Sequence, residues 1–399
     1  MSQKIVFTNF QLVDSEFKSI KNNQALLSVN GIITDFGSSV SLLKKYSTLK
    51  CIDLQKAKIF PSFVECHTHS VFGGSRADEF ELRNQGVSYL NIAKQGGGIL
   101  STVRSTRKMT RQQLLKISQL RVNHFLKQGV STLEIKSGYG LDLKSEIKML
   151  EVASQLKGPQ IITTFLGAHA KPAEFQTHQD YLDYLIQKVF PILKKKKLTR
   201  RVDIFIEQGF FDVKYSEKYL QHFKQSGFDI TIHANQLSHS GGAQLAAQMK
   251  AVSADHVIHL KDRDIANLKK SNTVAVLLPT ADLYMKCPYP PARKLIDAGV
   301  DVALATDFNP GSCPSQDLML VGMLARLEMK MTLSEVFKAY TINAAKALGL
   351  DNTQGSISIG KLANFISTKA ELSDFFYSPG FIPEHQLYIK GQKINNKMR

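Results

Sequence analysis

Cysteine and acidic residues are scarce in this chain, and several signatures are missing altogether. Only Cys51, Cys66, Cys287 and Cys313 occur among 399 residues, and no two of them stand in C-x-x-C spacing. That removes a paired-cysteine framework and makes a reduced, cytoplasmic compartment the simpler reading. Residues Met1 to Phe7 lack the basic stretch, long apolar segment and small-residue cleavage site of a secretory signal, and charges interrupt every longer apolar run. The expectation is a soluble protein with no membrane partner. No G-x-G-x-x-G follows the early strand-like runs, so a dinucleotide fold lacks its fingerprint.

Acids number 34 against 51 Lys and Arg, a formal charge of +17. Such an excess suits an anionic partner, but it is mostly lysine and spread along the chain. The one dense cluster, Lys194 to Lys197 with Arg200 and Arg201, has no interleaved aromatics and runs straight into apolar Val202-Asp203-Ile204-Phe205-Ile206. It reads as a solvated loop, and no nucleic-acid partner is expected. The charge can still draw in small anions. Apolar residues at 43% and charged residues at 21% are ordinary globular usage.

From residue 60 to about 350, short apolar runs alternate with helix-like stretches. The runs are Phe63 to Cys66, Thr132 to Lys136, Gln160 to Phe165, Val202 to Ile206, Asp229 to Ala234, Asp255 to Leu260, Val274 to Leu278 and Val302 to Ala305. Between them lie helical patterns such as Leu143 to Leu156, Tyr181 to Leu193 and Pro291 to Ala298. Alternation implies parallel pairing with right-handed crossovers, and eight such units favour an α/β fold, a closed (β/α)8 TIM barrel over residues 60–351. Outside it the texture is β. Lys4 to Val13, Leu26 to Val29, an Asn30-Gly31 turn, Ile32 to Phe36 and Cys51 to Leu54 precede the barrel, and Gly355 to Gly360 and Gln386 to Gly391 follow it. Residues 1–59 and 352–399 are expected to form one small β domain, with Asn-Gly marking a tight hairpin.

The chemistry gathers at strand ends. His67-Thr68-His69 closes the first run, and side chains two apart on a strand share a face, so both imidazoles can reach one cation. Taken alone, H-x-H arises by chance, His233 could be a core histidine, and Asp307 could cap a helix given Pro310 and Gly311 after it. In a barrel, however, the carboxyl ends of the strands converge. His67 and His69 end strand one, His169 follows strand three, His233 ends strand five, His256 lies on strand six and Asp307 follows strand eight. His67, His69, His233 and Asp307 make a coherent mononuclear metal site, suited to one zinc or iron ion.

Longer stretches then carry a resemblance. Pro61 to His69, Phe72 to Arg83, Gly96-Gly97-Gly98-Ile99, Glu134 to Asp142, His233-Ala234-Asn235-Gln236, Ser253 to His256 and Ala305 to Ser312 resemble the amidohydrolase superfamily and, within it, the imidazolonepropionase family. The resemblance implies metal-dependent hydrolysis of the cyclic C–N bond of 4-imidazolone-5-propanoate to N-formimidoyl-L-glutamate, in histidine degradation, by a homodimer. It implies substrate binding by Arg76, Tyr139, His169, Gln236, Asn309, Gly311 and Ser312. Arg76 can take the propionate as a bidentate fork and Tyr139 can add a hydrogen bond.

His256 is the best general base by resemblance, with a purely orienting hydrogen bond as the other reading, and Asp307 can shuttle a proton while ligating metal. One departure stands out. After the strand-five histidine the family often carries a carboxylate, whereas Asn235 and Gln236 are amides and take no proton. Glu207 is the nearest other acid, and a structural ion pair explains it equally well. A related hydrolase of another heterocyclic anion, or a metal-binding homologue without activity, are the alternatives that remain.

Overall fold

In the computed structural model, residues 3–87 and 97–395 are described; Met1, Ser2 and Gly96 of the glycine run lie outside them. Eight parallel strands stand side by side in sequence order: Phe63–Glu65, Val130–Lys136, Gln160–Ala168, Arg201–Ile206, Asp229–Ala234, Ser253–His256, Val274–Leu277 and Val302–Leu304. Each has helices on its outer face, so both faces are covered and the strands run nearly continuously buried. Helix starts are fixed locally. Thr110 caps Arg111–Lys127 with a reciprocal bond from Gln113, and Asp142 and Asp212 accept the first free N–H groups of Leu143–Gln155 and Val213–Gln225.

Among the described residues, backbone hydrogen bonds close the ring at its carboxyl rim. His69 N donates to Phe308 O at 2.9 Å and Asp307 N to His67 O at 3.2 Å, around a parallel bridge between Thr68 and Phe308. One step below, Thr306 N donates to the Glu65 carboxylate at 3.2 Å.

Two expected elements of the barrel differ. The sixth strand stops at His256 instead of running to Leu260, because His256 and Val257 take φ of 73° and 45° and leave the β region. The helix expected over Tyr181 to Leu193 is three pieces, His178–Tyr184, a wide π turn Leu185–Val189, and Phe190–Lys196. Pro191 has no N–H for the preceding turn, and the helix widens there.

The second sheet draws on both termini. Its order is Gln392–Lys393, Gln386–Ile389, Phe365–Thr368, Lys58–Pro61, Lys4–Val13, Ile20–Val29 and Ile32–Ser38, with Lys50–Asp53 also on Lys4–Val13. Asn30 and Gly31 turn the expected hairpin with φ of 51° and 83°, pairing Val29 with Ile32. Gly355 to Gly360 is not a strand: the left-handed glycines at its two ends break the pleat, and Gly360 N merely reaches Ile33 O. The strand there is Phe365–Thr368, antiparallel to Lys58–Pro61, so the sheet reaches on to Phe60 and Pro61. Phe17, in the turn between two strands of this sheet, stacks on Phe337 of the barrel with centroids 4.7 Å apart, and Phe60 of the sheet packs against Phe17, Phe63 and Phe337. This aromatic seam joins the terminal sheet to the start of the first barrel strand and to helix Leu333–Tyr340.

Candidate metal centre and active site

Alternation along the first strand turns Glu65, His67 and His69 into the barrel. The Nε2 atoms of His67 and His69 lie 3.5 and 3.4 Å from Asp307 Oδ1. His233 ends strand five with its ring 4.6 Å from that of His67, and His256 lies 5.2 Å from His233. Two ligand triples result, His67-His69-Asp307 and His67-His233-His256, each with its donor atoms within 4.8 Å of one another. The expected ligands therefore gather at one place, and His256 stands among them. Asp307 caps no helix; the next one, Leu318–Leu327, is capped by Asp317.

The donor set suits a cation. His67 Nε2 is buried with no hydrogen-bond partner and faces Asp307. Its Nδ1 is 2.6 Å from Asp255 Oδ2, and His233 Nδ1 is 2.9 Å from Asp203 Oδ2, so each ring turns its other nitrogen inward. Burial and the Lys136 ammonium oppose a proton on His67, but Asp255 and Asp307 outweigh them and raise its pKa to about 9. Burial pushes His69 down to about 4 and His256 to about 3, against the pull of Asp307. Asp307 stays ionised, since His67 and His69 overcome its burial. His69 and His256, kept neutral by burial, and the ionised Asp307 are donors that zinc or iron takes, and an ion binding there displaces the proton from His67 Nε2.

Above this floor lies a cavity of ≈ 300 Å³, bordered by Arg76, Tyr139, His169, Gln236, Asn309, Gly311 and Ser312, with His69, His233, His256 and Asp307 below and Ile99, Phe205, Phe210, Leu237 and Met285 as an apolar wall. Arg76 begins helix Ala77–Asn84; its Nε donates to Glu79 Oε2 at 2.8 Å, and Glu79 Oε1 accepts from Gly98 N. Tyr139 rides a loop wrapped round the buried Glu146 carboxylate, which accepts from Gly138, Gly140 and Leu141 N at 3.1, 2.7 and 2.8 Å. His169 Nδ1 donates to Gly138 O at 3.1 Å, which leaves Nε2 unprotonated in a ring that burial keeps neutral.

Asn235, Glu207 and Asn309 are each held by hydrogen bonds within the protein. Asn235 is absent from the cavity: its Nδ2 donates to His259 O and its Oδ1 accepts from Ala243 N, a pairing that a carboxylate could not complete. Glu207 makes no ion pair among the described residues; its carboxylate accepts from Gln208 N, Leu237 N and the Ser238 hydroxyl, holding the loop after Gln236. The Asn309 amide is engaged within its own loop, accepting from Gly311 and Ser312 N at 2.8 Å and donating to Asp307 O at 2.7 Å. The sequence reading missed Asp203, Asp255, Lys136 and Glu146. For Asp203, Asp255 and Lys136 the signal was present, a charged residue on a buried strand, but nothing in it named the partner; Glu146, among Lys and Ser on a helix, carried no such signal.

The chain belongs to the amidohydrolase family, whose family model matches residues 160–394. Among solved structures, a zinc-bound adenosine deaminase from Xanthomonas campestris superposes with TM-score 0.76 at 16% identity, over 98% of this chain and 92% of that one. E. coli guanine deaminase gives 0.72 at 15% identity over 99% of each. At such identities they establish the fold. The particular branch comes from the sequence relatives. The imidazolonepropionase of Bdellovibrio bacteriovorus is 49% identical over 385 residues, 96% of this chain and 91% of the relative. That of Bacillus cytotoxicus is 43% identical over 342 residues, 84% and 80%. Within the amidohydrolases, this chain is a member of the imidazolonepropionase family.

Proposed function

We propose that the protein hydrolyses the ring C–N bond of 4-imidazolone-5-propanoate, giving N-formimidoyl-L-glutamate in histidine degradation, with one zinc or iron ion per subunit on His67, His69, His233 and Asp307. The observation that carries this reading is one cavity with a cation-type donor cluster on its floor and a guanidinium, Arg76, on its wall. A bound ion supplies Lewis-acid activation of water and carbonyl. The chain supplies the rest. Arg76, braced by Glu79, meets the propionate, while Tyr139 and His169 hydrogen-bond the substrate and Gln236 orients it without taking a proton. Water adds to the ring carbonyl carbon as the C–N bond breaks; His256, on the cavity floor, accepts the water's proton, and Asp307 relays it to the departing nitrogen.

The scattered cysteines support a cytoplasmic location, and the resemblance supports a homodimer and a division into residues 60–351 and a terminal domain of 1–59 with 352–399. No helix among the described residues is long and apolar enough to cross a membrane. The deciding experiment is ring opening of imidazolone propanoate by purified, metal-loaded protein. Turnover no higher than that of a chelated control overturns the proposal.

A further inference from the structure

Lys136 ends the second barrel strand inside the barrel, 1% exposed. Its Nζ lies 2.9 Å from Glu134 Oε1, 2.9 Å from Asp203 Oδ2 and 3.6 Å from Asp255 Oδ2. A buried ammonium is tolerated only among such partners. These residues sit on strands two, four and six, and alternate strands of a (β/α)8 barrel share an interior layer, so the folding pattern itself brings them together. The two distal carboxylate oxygens have a second contact each. Asp255 Oδ2 is 2.6 Å from His67 Nδ1, and Asp203 Oδ2 is 2.9 Å from His233 Nδ1. Each oxygen is thus shared between the ammonium and one imidazole. Without Lys136 the two carboxylates repel each other in a dry interior, and either can swing round to the ion as an extra ligand.

We infer that Lys136 is a positioning residue for the metal centre: it pins Asp203 and Asp255 behind His233 and His67, turns both Nε2 atoms toward one cation, and leaves Asp307 as the carboxylate on it. This rests on the metal-holding reading above. Lys136 touches neither cavity nor ligand atom, so it acts through the two aspartates.

The test compares parent, Lys136→Met and the charge-balanced pair Lys136→Met with Glu134→Gln, using zinc affinity by chelator competition and the electronic spectrum of the cobalt form. In the folded pair, zinc affinity is expected to fall about 10- to 100-fold and the cobalt spectrum to change, with both Asp–His contacts still available. Parent-like affinity and spectrum overturn the inference. Failure of the charge-balanced pair to fold also overturns it, assigning Lys136 to stability alone. A parent that takes up no zinc or cobalt instead defeats the metal reading itself.

Discussion

At Gly311 the backbone leaves room for the Arg76 guanidinium: a Cβ there would lie 1.9 Å from Nη1. Arginine and glycine are therefore one fitted pair, and the arginine's aim toward the cavity depends on both. Replacing Arg76 with Met removes two charge-assisted hydrogen bonds, so KM for a carboxylate substrate is expected to rise on the order of 10²-fold with little change in kcat. Steady-state kinetics check this, and binding of a neutral analogue should be hardly affected. His256→Ala is expected to lower turnover by roughly a hundredfold or more with metal content retained; metal analysis beside the rate separates proton transfer from ligation. At this scale the ligands were legible because alternation and strand ends are written in the sequence. Asn235 was not: two places past His233 it should point inward, but its φ of 53° turns it away and brings Gln236 to the cavity instead.

At the scale of elements, the turn after strand two is held by a buried carboxylate: Glu146, on helix Leu143–Gln155, gathers three loop N–H groups under Tyr139. Burial raises its pKa in spite of them. Glu146→Gln places an amide N–H₂ against at least one of these donors. The expected outcome is a KM increase larger than any fall in kcat and a loss of about 1.5–3 kcal/mol of stability, checked by kinetics and urea unfolding. The helices and most strands were readable from periodicity and capping residues. Gly355 to Gly360 misled because alternating isoleucines imitate a pleat, while left-handed glycines, invisible as such in a sequence, break it.

For the whole molecule, the barrel and its companion sheet were legible from the alternation of apolar runs and the β texture of both termini. The way the barrel closes was not, since all but one of the residues that close it lie beyond the regular strands. Glu65 belongs to that closure. Burial lifts its carboxyl to about 8, against the N–H groups of His67 and Thr306. The unfolded chain gives up this proton near the ordinary value of 4.5, so the folded state binds more protons between 4.5 and about 8. Its contribution is fully present below that window and lost as pH rises through it. In Glu65→Gln the pH slope of metal-free stability between pH 5 and 8.5 should flatten, by on the order of a few kcal/mol, in urea midpoints measured at both ends.

The rim closure also has a mechanical meaning. His67, His69 and Asp307 supply the backbone bonds that join the first strand to the eighth, and the same three residues offer side chains to one cation. Spreading that joint would scatter the donors, and an ion seated among them would rivet the joint shut, so the barrel's weakest circumference and its most reactive point stand or fall together.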